Sequence, residues 1–332
     1  TTYIGSYVNP AYAGKIGIPR RQSTLSVQTA QITQPKKAGT VYTSEAEAAA
    51  DLRKQMVSRS EELVVTLRSA SDDVETIAVN LWNLALDHVE GSGTTGDYLR
   101  WQHTGMSGSV AGESLDSGYR YTFTYVPDTR YFDTIWFTTA ALTNYIRNTI
   151  LPQLSLGGKT TYQKVQAIYN WITANVKYDY SHMNDPTYWP QYTAYAAAVQ
   201  KKAVCQGYAN LFYRLANDAG IDCRIITGKA YNSDGTADHA WNIVRMEDEK
   251  YYCLDATWDA GLKPENYEYF LKGLTSFSRD HQAETDELNT PYWTQYQSRT
   301  SAADYKASST QLSAPTVTGG NDAQGRPTLK WK

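Results

Sequence analysis

Residues 203–209, AVCQGYA, begin the stretch that decides the fold. Apolar side chains recur after them on one helical face, which predicts an amphipathic helix that starts at or just before Cys205 and closes at Gly220. A cysteine at a helix N-terminus lies where backbone N–H groups and the helix dipole stabilise an anion. Cys205 is therefore a candidate nucleophile, although a lone cysteine is more often a buried structural residue.

Three predicted strands follow this helix, at residues 223–231, 239–246 and 251–257. The turn-forming sequence NSDG at residues 232–235 joins the first two strands, and an acidic turn joins the last two. Helices combined with consecutive hairpins predict the α+β class, with helices packed on an antiparallel sheet.

His239 opens the second of these strands, and Asp255 closes the third. A cysteine at a helix start with a histidine and an aspartate on adjacent strands is the arrangement of a nucleophile, a base and an orienting carboxylate. His239 and Asp255 can meet only if they project from the same sheet face. This predicts an odd-length acidic loop or a bulge. A three-residue loop at 247–249 would place Asp255 opposite Trp241, whereas a two-residue loop would separate Asp255 from His239.

The order and context of three motifs, AVCQGYA, HAWN at 239–242 and LDATW at 254–258, resemble the transglutaminase-like superfamily, whose members are related in fold to papain-type cysteine peptidases. The resemblance covers roughly residues 160–285. It implies a transglutaminase-like, papain-like core preceded by a smaller α+β domain.

By this resemblance Cys205 is the nucleophile, His239 the base and later the acid, and Asp255 the residue that fixes the imidazole tautomer. The family usually has Asp-Pro-Thr-Trp where this chain has DATW at 255–258. The missing proline changes local stiffness without removing a reacting group.

Substrate contacts are expected from the aromatic loop at 178–192 and from residues beside the reacting groups. The candidates are Tyr178, Tyr180, Trp189, Gln206 and Trp241. The loop is also expected to supply an oxyanion donor in addition to the backbone N–H of Cys205.

The remaining cysteines and histidines favour structural roles. Cys223 and Cys253 belong to strands on either side of the His239 strand, too far apart for a disulfide, and are predicted to be free and buried. The other histidines lack ligand-spaced partners and are expected to be polar surface or capping groups; they are His88, His103, His182 and His281. We predict no metal and no cofactor.

Four segments are predicted along the chain. Residues 1–40 contain five basic and no acidic residues and are interpreted as a flexible or loosely docked basic arm. Residues 41–155 form a small accessory domain, in which residues 98–101 and 119–126 are predicted to be strands. Residues 156–300 form the catalytic domain. Residues 301–332 are a linker and a segment that resembles the first two strands of a fibronectin type III domain.

Composition limits the classes of function. The formal charge of −3 gives no overall field for binding nucleic acid, and no apolar run is long enough to span a membrane. The 27 tyrosines against 6 phenylalanines are a weak indication of a secreted protein. The resemblance of the C-terminal segment to a fibronectin type III domain implies a modular protein of the kind that bacteria secrete or attach to the cell surface. The prediction is a cysteine acyl-transfer enzyme acting on a protein or peptide, such as a cell-wall peptide, with water or an amine as acceptor. The alternative is a non-catalytic binding or structural module.

Overall fold

The structure is a computed structural model. It describes residues 2–8, 28–30, 39–102, 105–127, 136–185, 188–233, 235–284, 290–308, 311, 317–321 and 327–331. Helices and two main sheets occur together, so the α+β class is confirmed.

The first sheet has six strands in the order β2-β1-β5-β6-β4-β3. All its pairs are antiparallel except β3–β4. The elements of this part are β1 (Thr2–Val8), β2 (Gln28–Ala30), β3 (Val41–Tyr42), α1 (Glu45–Val57), β4 (Leu63–Ser69), α2 (Val74–Ala85), α3 (Asp97–Arg100), β5 (Gly105–Ser114) and β6 (Tyr119–Pro127).

Aromatic side chains at alternate positions of β6 form part of the core beneath this sheet. Tyr121, Phe123 and Tyr125 are buried together with the apolar faces of α1 and α2. The Tyr125 hydroxyl donates to the Ala78 carbonyl at 2.9 Å, which satisfies the one polar atom of that side chain. The predicted strand at 119–126 is thus confirmed.

One expectation for this region differs from the structure. Residues 98–101, predicted to be a strand, belong to α3 and its C-terminal cap, because Asp97 at the first turn is anchored by a distant arginine. Residues 2–8 of the predicted arm pair with β5, and residues 28–30 pair with β1, so these parts of the arm are docked. Most of the arm lies outside the described residues.

The second sheet has the order β11-β10-β9-β12, and all its pairs are antiparallel. Short π-helical turns at Ile146–Ile150 and Ala196–Gln200 and 3-10 turns at Trp189–Tyr192 and Pro264–Asn266 accompany the helices. The elements are α4 (Trp136–Tyr145), α5 (Leu151–Leu154), α6 (Thr161–Asn175), β7 (Lys177–Tyr178), β8 (Lys202–Ala203), α7 (Cys205–Asp218), β9 (Cys223–Asn232), β10 (Gly235–Arg245), β11 (Tyr251–Leu254), α8 (Leu274–Phe277), β12 (His281–Ala283) and α9 (Thr290–Gln297).

Helix α7 is buried over nearly its whole length and packs on β9 and β10. Its apolar face shares one core with α6 and with Leu142, Ile146 and Leu154 of the preceding segment. The predicted boundary near residue 155 therefore lies within a continuous core, and the domain limits stay a prediction.

Two buried polar contacts join the N-terminal sheet region to this core. Arg224 of β9 donates two hydrogen bonds to Asp97 at 2.8 and 2.9 Å. His88 lies between the Asp222 carboxylate at 2.5 Å and the Tyr213 hydroxyl at 2.9 Å. His88 is thus an internal link and not the surface group expected from sequence.

Residues after α9 return to the second sheet before the chain continues. Ser301 N–H donates to the Tyr251 carbonyl at 2.9 Å, and Tyr305 N–H donates to the Leu271 carbonyl at 3.0 Å. Farther on, β13 (Val317–Asn321) and β14 (Pro327–Trp331) form an antiparallel pair. Among the described residues, no helix combines the length and apolar character needed to cross a membrane.

Candidate active site

Cys205 is the first residue of α7, as the sequence predicts. Val204 before it is extended, and its N–H donates to the Gln191 carbonyl at 2.9 Å, which draws the 189–192 turn toward the cysteine. A Cβ at Gly207 would lie 2.6 Å from the Ala203 Cβ and 3.1 Å from the Gln191 carbonyl oxygen. Close packing at the helix start therefore requires glycine at position 207.

The hairpin between β10 and β11 has the register that places His239 and Asp255 on one face. Asn242 pairs with Leu254 and Arg245 pairs with Tyr251, so continuing the register puts Asp255 opposite Trp241. The loop is the predicted three-residue loop at 247–249. The parity prediction is confirmed.

His239 is buried and contacts both other members of the predicted triad. Its Nε2 donates to Asp255 Oδ2 at 2.7 Å, and its ring is hydrogen-bonded to the Cys205 thiol. Burial by itself would lower the pKa of His239, but the Asp255 charge and hydrogen bond, together with Cys205, raise it to about 10. Because Asp255 uses Nε2, Nδ1 is the ring nitrogen left for the thiol.

Asp255 is fully buried and accepts four hydrogen bonds. Oδ1 accepts from the backbone N–H groups of Thr257 at 2.9 Å and Trp258 at 3.3 Å. Oδ2 accepts from His239 and, at 3.1 Å, from His281 Nε2. Burial opposes ionisation, yet the two histidines hold the pKa of Asp255 well below its usual range. The carboxylate is thus charged and fixed.

His281 is the functional residue that sequence reasoning missed. It was expected at the surface, but its side chain is completely buried on β12. The pairing of β12 with β9 carries it to Asp255, and no local spacing or motif signals that pairing. His182 is partly exposed and bound to Asp179 at 2.8 Å, as a polar surface group. His103 lies outside the described residues.

The aromatic loop lies beside Cys205. Strand β7 pairs with β8 in parallel, which sets Tyr178 alongside Ala203, two residues before the cysteine. The Tyr178 and Tyr180 rings are 4.9 Å apart, and Tyr180 is 75% exposed. Tyr178 and Trp189 are half-buried and pack against the same core as Cys205.

Two substrate-contact candidates are buried and not at a surface. Gln206 is 2% exposed within α7. Trp241 is 3% exposed, and its ring packs against His281 and Phe277 at 5.2 and 5.7 Å between centroids. The Trp241 side chain fills the core behind the triad, and substrate contact by Gln206 and Trp241 stays a prediction.

Within the described part of the chain, His239, Asp255 and His281 form the one cluster whose donor atoms could hold a metal ion, all within 4.8 Å of one another. Both imidazoles already donate to the same carboxylate oxygen. Hydrogen bonds account for the cluster, and the prediction of no metal stays a prediction.

The other two cysteines are free and buried, as predicted. Burial raises the pKa of both the Cys223 and the Cys253 thiols well above the usual range. Cys205 is only half-buried and differs from both in its histidine contact.

Residues 148–256 match the family model of the transglutaminase-like superfamily, which supports the resemblance drawn from the motifs. Kyphoscoliosis peptidase of Homo sapiens is 30% identical over 141 residues, which are 37% of this chain and 21% of that protein. The Mus musculus protein of the same name is 28% identical over 153 residues, 40% of this chain and 22% of that protein.

A solved structure described as a TGase is similar with a TM-score of 0.32 and 17% identity, covering 63% of this chain and 53% of that one. The chain spans about a fifth of the length of the curated relatives it matches.

Proposed function

We propose that this chain is a cysteine acyl-transfer enzyme in which Cys205 is the nucleophile, His239 the base and later the acid, and Asp255 the group that orients His239. One observation carries the proposal: His239 is hydrogen-bonded to both the Asp255 carboxylate and the Cys205 thiol. This is the nucleophile, base and orienter geometry of thiol acyl transfer.

The reaction begins with transfer of the Cys205 proton to His239, which gives a thiolate and an imidazolium. The thiolate forms a bond to an amide carbonyl carbon, and the carbonyl π electrons move to oxygen. When the tetrahedral intermediate collapses, the C–N bond breaks and the leaving amine takes the proton from His239. The product of this half is a thioester on Cys205.

The second half releases the acyl group. His239 takes a proton from water or from an amine as it attacks the thioester carbon, and the Cys205 thiolate leaves. Water gives hydrolysis, and an amine gives a new amide. The backbone N–H of Cys205 and a donor from the 178–192 loop stabilise the oxyanion; support comes from the position of Cys205 at the start of α7.

The substrate is a protein or peptide with an apolar or aromatic side chain near the reacting carbonyl. Exposed apolar side chains on the loop after β7 support this, since Tyr180 is 75% and Met183 is 47% exposed and β7 pairs with β8, which precedes Cys205. Tyrosine-rich composition supports an extracellular or cell-surface site of action, on a cell-wall or surface peptide.

The proposal is tested with two probes that separate the acceptors. A fluorescent casein reports hydrolysis, and a glutamine-containing peptide with a dansylated primary amine reports amine incorporation. Wild type is compared with Cys205→Ala and with Cys253→Ala, which removes a buried thiol outside the site. Turnover that only Cys205→Ala abolishes supports the proposal.

If neither probe reacts, and Cys205 is alkylated no faster than the buried thiols, Cys205 is not an activated nucleophile. The chain is then the non-catalytic binding or structural module.

A further inference from the structure

His281 and Asp280 extend the hydrogen-bond chain of the candidate site beyond Asp255. His281 Nε2 lies 3.1 Å from Asp255 Oδ2, and His281 Nδ1 lies 2.6 Å from Asp280 Oδ1. The Tyr269 hydroxyl donates to the other Asp280 oxygen at 2.8 Å. Five side chains thus connect in sequence from Tyr269 to His239.

We propose that His281, held by Asp280, is a positioning residue for the triad: it fixes the Asp255 carboxylate and, as a cation, limits how strongly that carboxylate attracts the His239 proton. The inference rests on the proposed function of Cys205 and His239. It adds to that function a residue that touches neither substrate nor thiol.

The hydrogen-bond geometry favours a cationic His281 ring. An ionised carboxylate only accepts hydrogen bonds, and both ring nitrogens of His281 face carboxylate oxygens. Both nitrogens must therefore carry hydrogen for both contacts to be hydrogen bonds, which makes the ring an imidazolium. Two charge-assisted bonds then hold the ring on opposite sides.

Packing removes the other orientations of this ring. The His281 side chain is fully buried, with the Phe277 ring stacked at 4.0 Å and the Trp258 ring at 4.5 Å. Strand β12 reaches this depth because Gly228 opposite it has no side chain; a Cβ there would lie 2.0 Å from the Gln282 carbonyl oxygen. A ring held in this way can fix Asp255 more rigidly than a solvent-exposed partner.

The outer end of the chain is reachable from solvent. The Asp280 side chain is 29% exposed and lines a cavity of about 310 Å³. The titratable groups that face His281 are Asp255, Asp280, His239 and Tyr269, and the charged groups that line the cavity beyond Asp280 are Glu268, Lys272 and Arg279.

A charge on His281 affects the protonation of both His239 and Cys205. The His239 and His281 ring centroids are 5.4 Å apart, so a positive charge on His281 disfavours the proton on His239 and favours the Cys205 thiolate. Without that charge, the His239 imidazolium is more stable and the Cys205 thiolate is less stable. Both changes move the pH range of the reactive ion pair to higher pH.

The experiment measures the rate at which iodoacetate alkylates Cys205 as a function of pH, which requires no substrate. The rate rises where the thiolate–imidazolium pair forms and falls where His239 loses its proton, because the reagent anion is attracted by the imidazolium. In His281→Gln, both limbs are expected to move up by about one to two pH units. In Asp280→Asn, which keeps the buried ring, the same shift is expected at a smaller size.

Tyr231→Phe is the matched control. It removes a hydrogen bond of 2.7 Å from Tyr231 to Gln282 on the same strand pair without touching Asp255, and its profile should equal that of wild type. If both limbs of the pH profile stay in place in Asp280→Asn and in a folded His281→Gln, the inference is overturned, even if the plateau rate is lower. His281 would then contribute only packing to the site.

Failure of the proposed function can be distinguished from failure of this inference. If wild-type Cys205 shows no reactive ion pair at any pH, the proposed function fails regardless of His281. An independent measurement on wild type is the ¹⁵N spectrum of His281, which should show protons on both ring nitrogens near neutral pH. A neutral His281 ring would contradict the inference without any variant.

Discussion

Glu249 donates its backbone N–H to the Met246 carbonyl at 2.9 Å and does so with a left-handed φ of 63°. This residue closes the three-residue loop of the β10–β11 hairpin, and the loop sets the register that puts Asp255 on the face of His239. Hairpin loops of this kind usually have glycine at the left-handed position. The register that builds the site is therefore held by a residue under backbone strain.

Glu249→Gly is predicted to stabilise the protein by about 1 kcal/mol, because glycine adopts the left-handed region without the Cβ penalty. The loss of the exposed Arg245–Glu249 contact at 3.8 Å offsets little of this gain. Urea denaturation measures the difference. Asp248→Gly is the control with the opposite sign, since Asp248 accepts from Lys250 N–H and the Tyr252 hydroxyl. A less stable Glu249→Gly would contradict the strain argument.

Cys205 is predicted to be the one thiol that is alkylated quickly in the folded protein. It is half-buried and bound to an imidazole, whereas burial raises the pKa of Cys223 and Cys253. Limiting iodoacetamide at pH 6–7 followed by peptide mass spectrometry measures the site of labelling. Denatured protein, in which the three thiols should react alike, is the control. Equal labelling in the folded state would contradict the assignment.

The parts of the site that could be predicted from sequence are those fixed by local pattern. The helix start at Cys205 follows from amphipathic periodicity, and the facing of His239 and Asp255 follows from strand parity. Both depend on residues close together in the chain. Their agreement with the structure reflects that locality.

The parts that could not be predicted depend on distant pairing. His281 reaches Asp255 only because β12 pairs with β9, about fifty residues earlier in sequence, and Asp97 starts a helical turn where a strand was expected because Arg224 binds it. Trp241 lies on the same strand as His239, yet neighbouring aromatic side chains cover it. Tertiary context decided each of these outcomes, and no window of sequence contains it.

Asp255→Asn is predicted to lower kcat by about 10⁴-fold with the fold retained, because the amide presents an N–H where His239 needs an acceptor. The Asn oxygen can still accept from the Thr257 and Trp258 N–H groups, so the loop stays anchored. Turnover of whichever probe wild type converts, with circular dichroism of both proteins, measures this. Full activity in a folded Asp255→Asn would remove Asp255 from the mechanism.

Asp97→Asn is predicted to destabilise the protein by about 3–5 kcal/mol, because it leaves the buried Arg224 guanidinium without its counter-charge. Asp97 is fully buried, and although burial raises its pKa, Arg224 lowers it on balance. Glu113→Gln breaks the exposed Glu113–Arg120 pair and is expected to cost less than about 1 kcal/mol. Urea denaturation at pH 7 compares them, and equal small losses would contradict a role for Asp97 in joining the two parts.

The His239–Asp255 pair is predicted to make stability depend on pH in a window set by both groups. The folded pKa of His239 is raised from 6.5 to about 10, so its stabilisation is fully present below pH 6.5 and is lost as pH rises toward 10. The folded pKa of Asp255 is lowered from 3.8, so its stabilisation is present above about pH 4 and is lost as pH falls further. The pair contributes most between about pH 4 and pH 6.5.

His239→Gln tests this window, since it removes the titrating ring and adds a packing cost that does not change with pH. The difference in unfolding free energy between wild type and His239→Gln should be largest near pH 5–6 and should shrink steadily from pH 7 to pH 10. His182→Gln, which removes a partly exposed histidine bound to Asp179, is the matched control, because solvent screens that contact. A His239→Gln difference that is constant from pH 5 to pH 10 would show that folding does not shift the pKa of His239, and a difference that grows as pH rises through 6.5 would show that His239 is uncharged in the folded protein. Either result would contradict the imidazolium that the reactive ion pair requires.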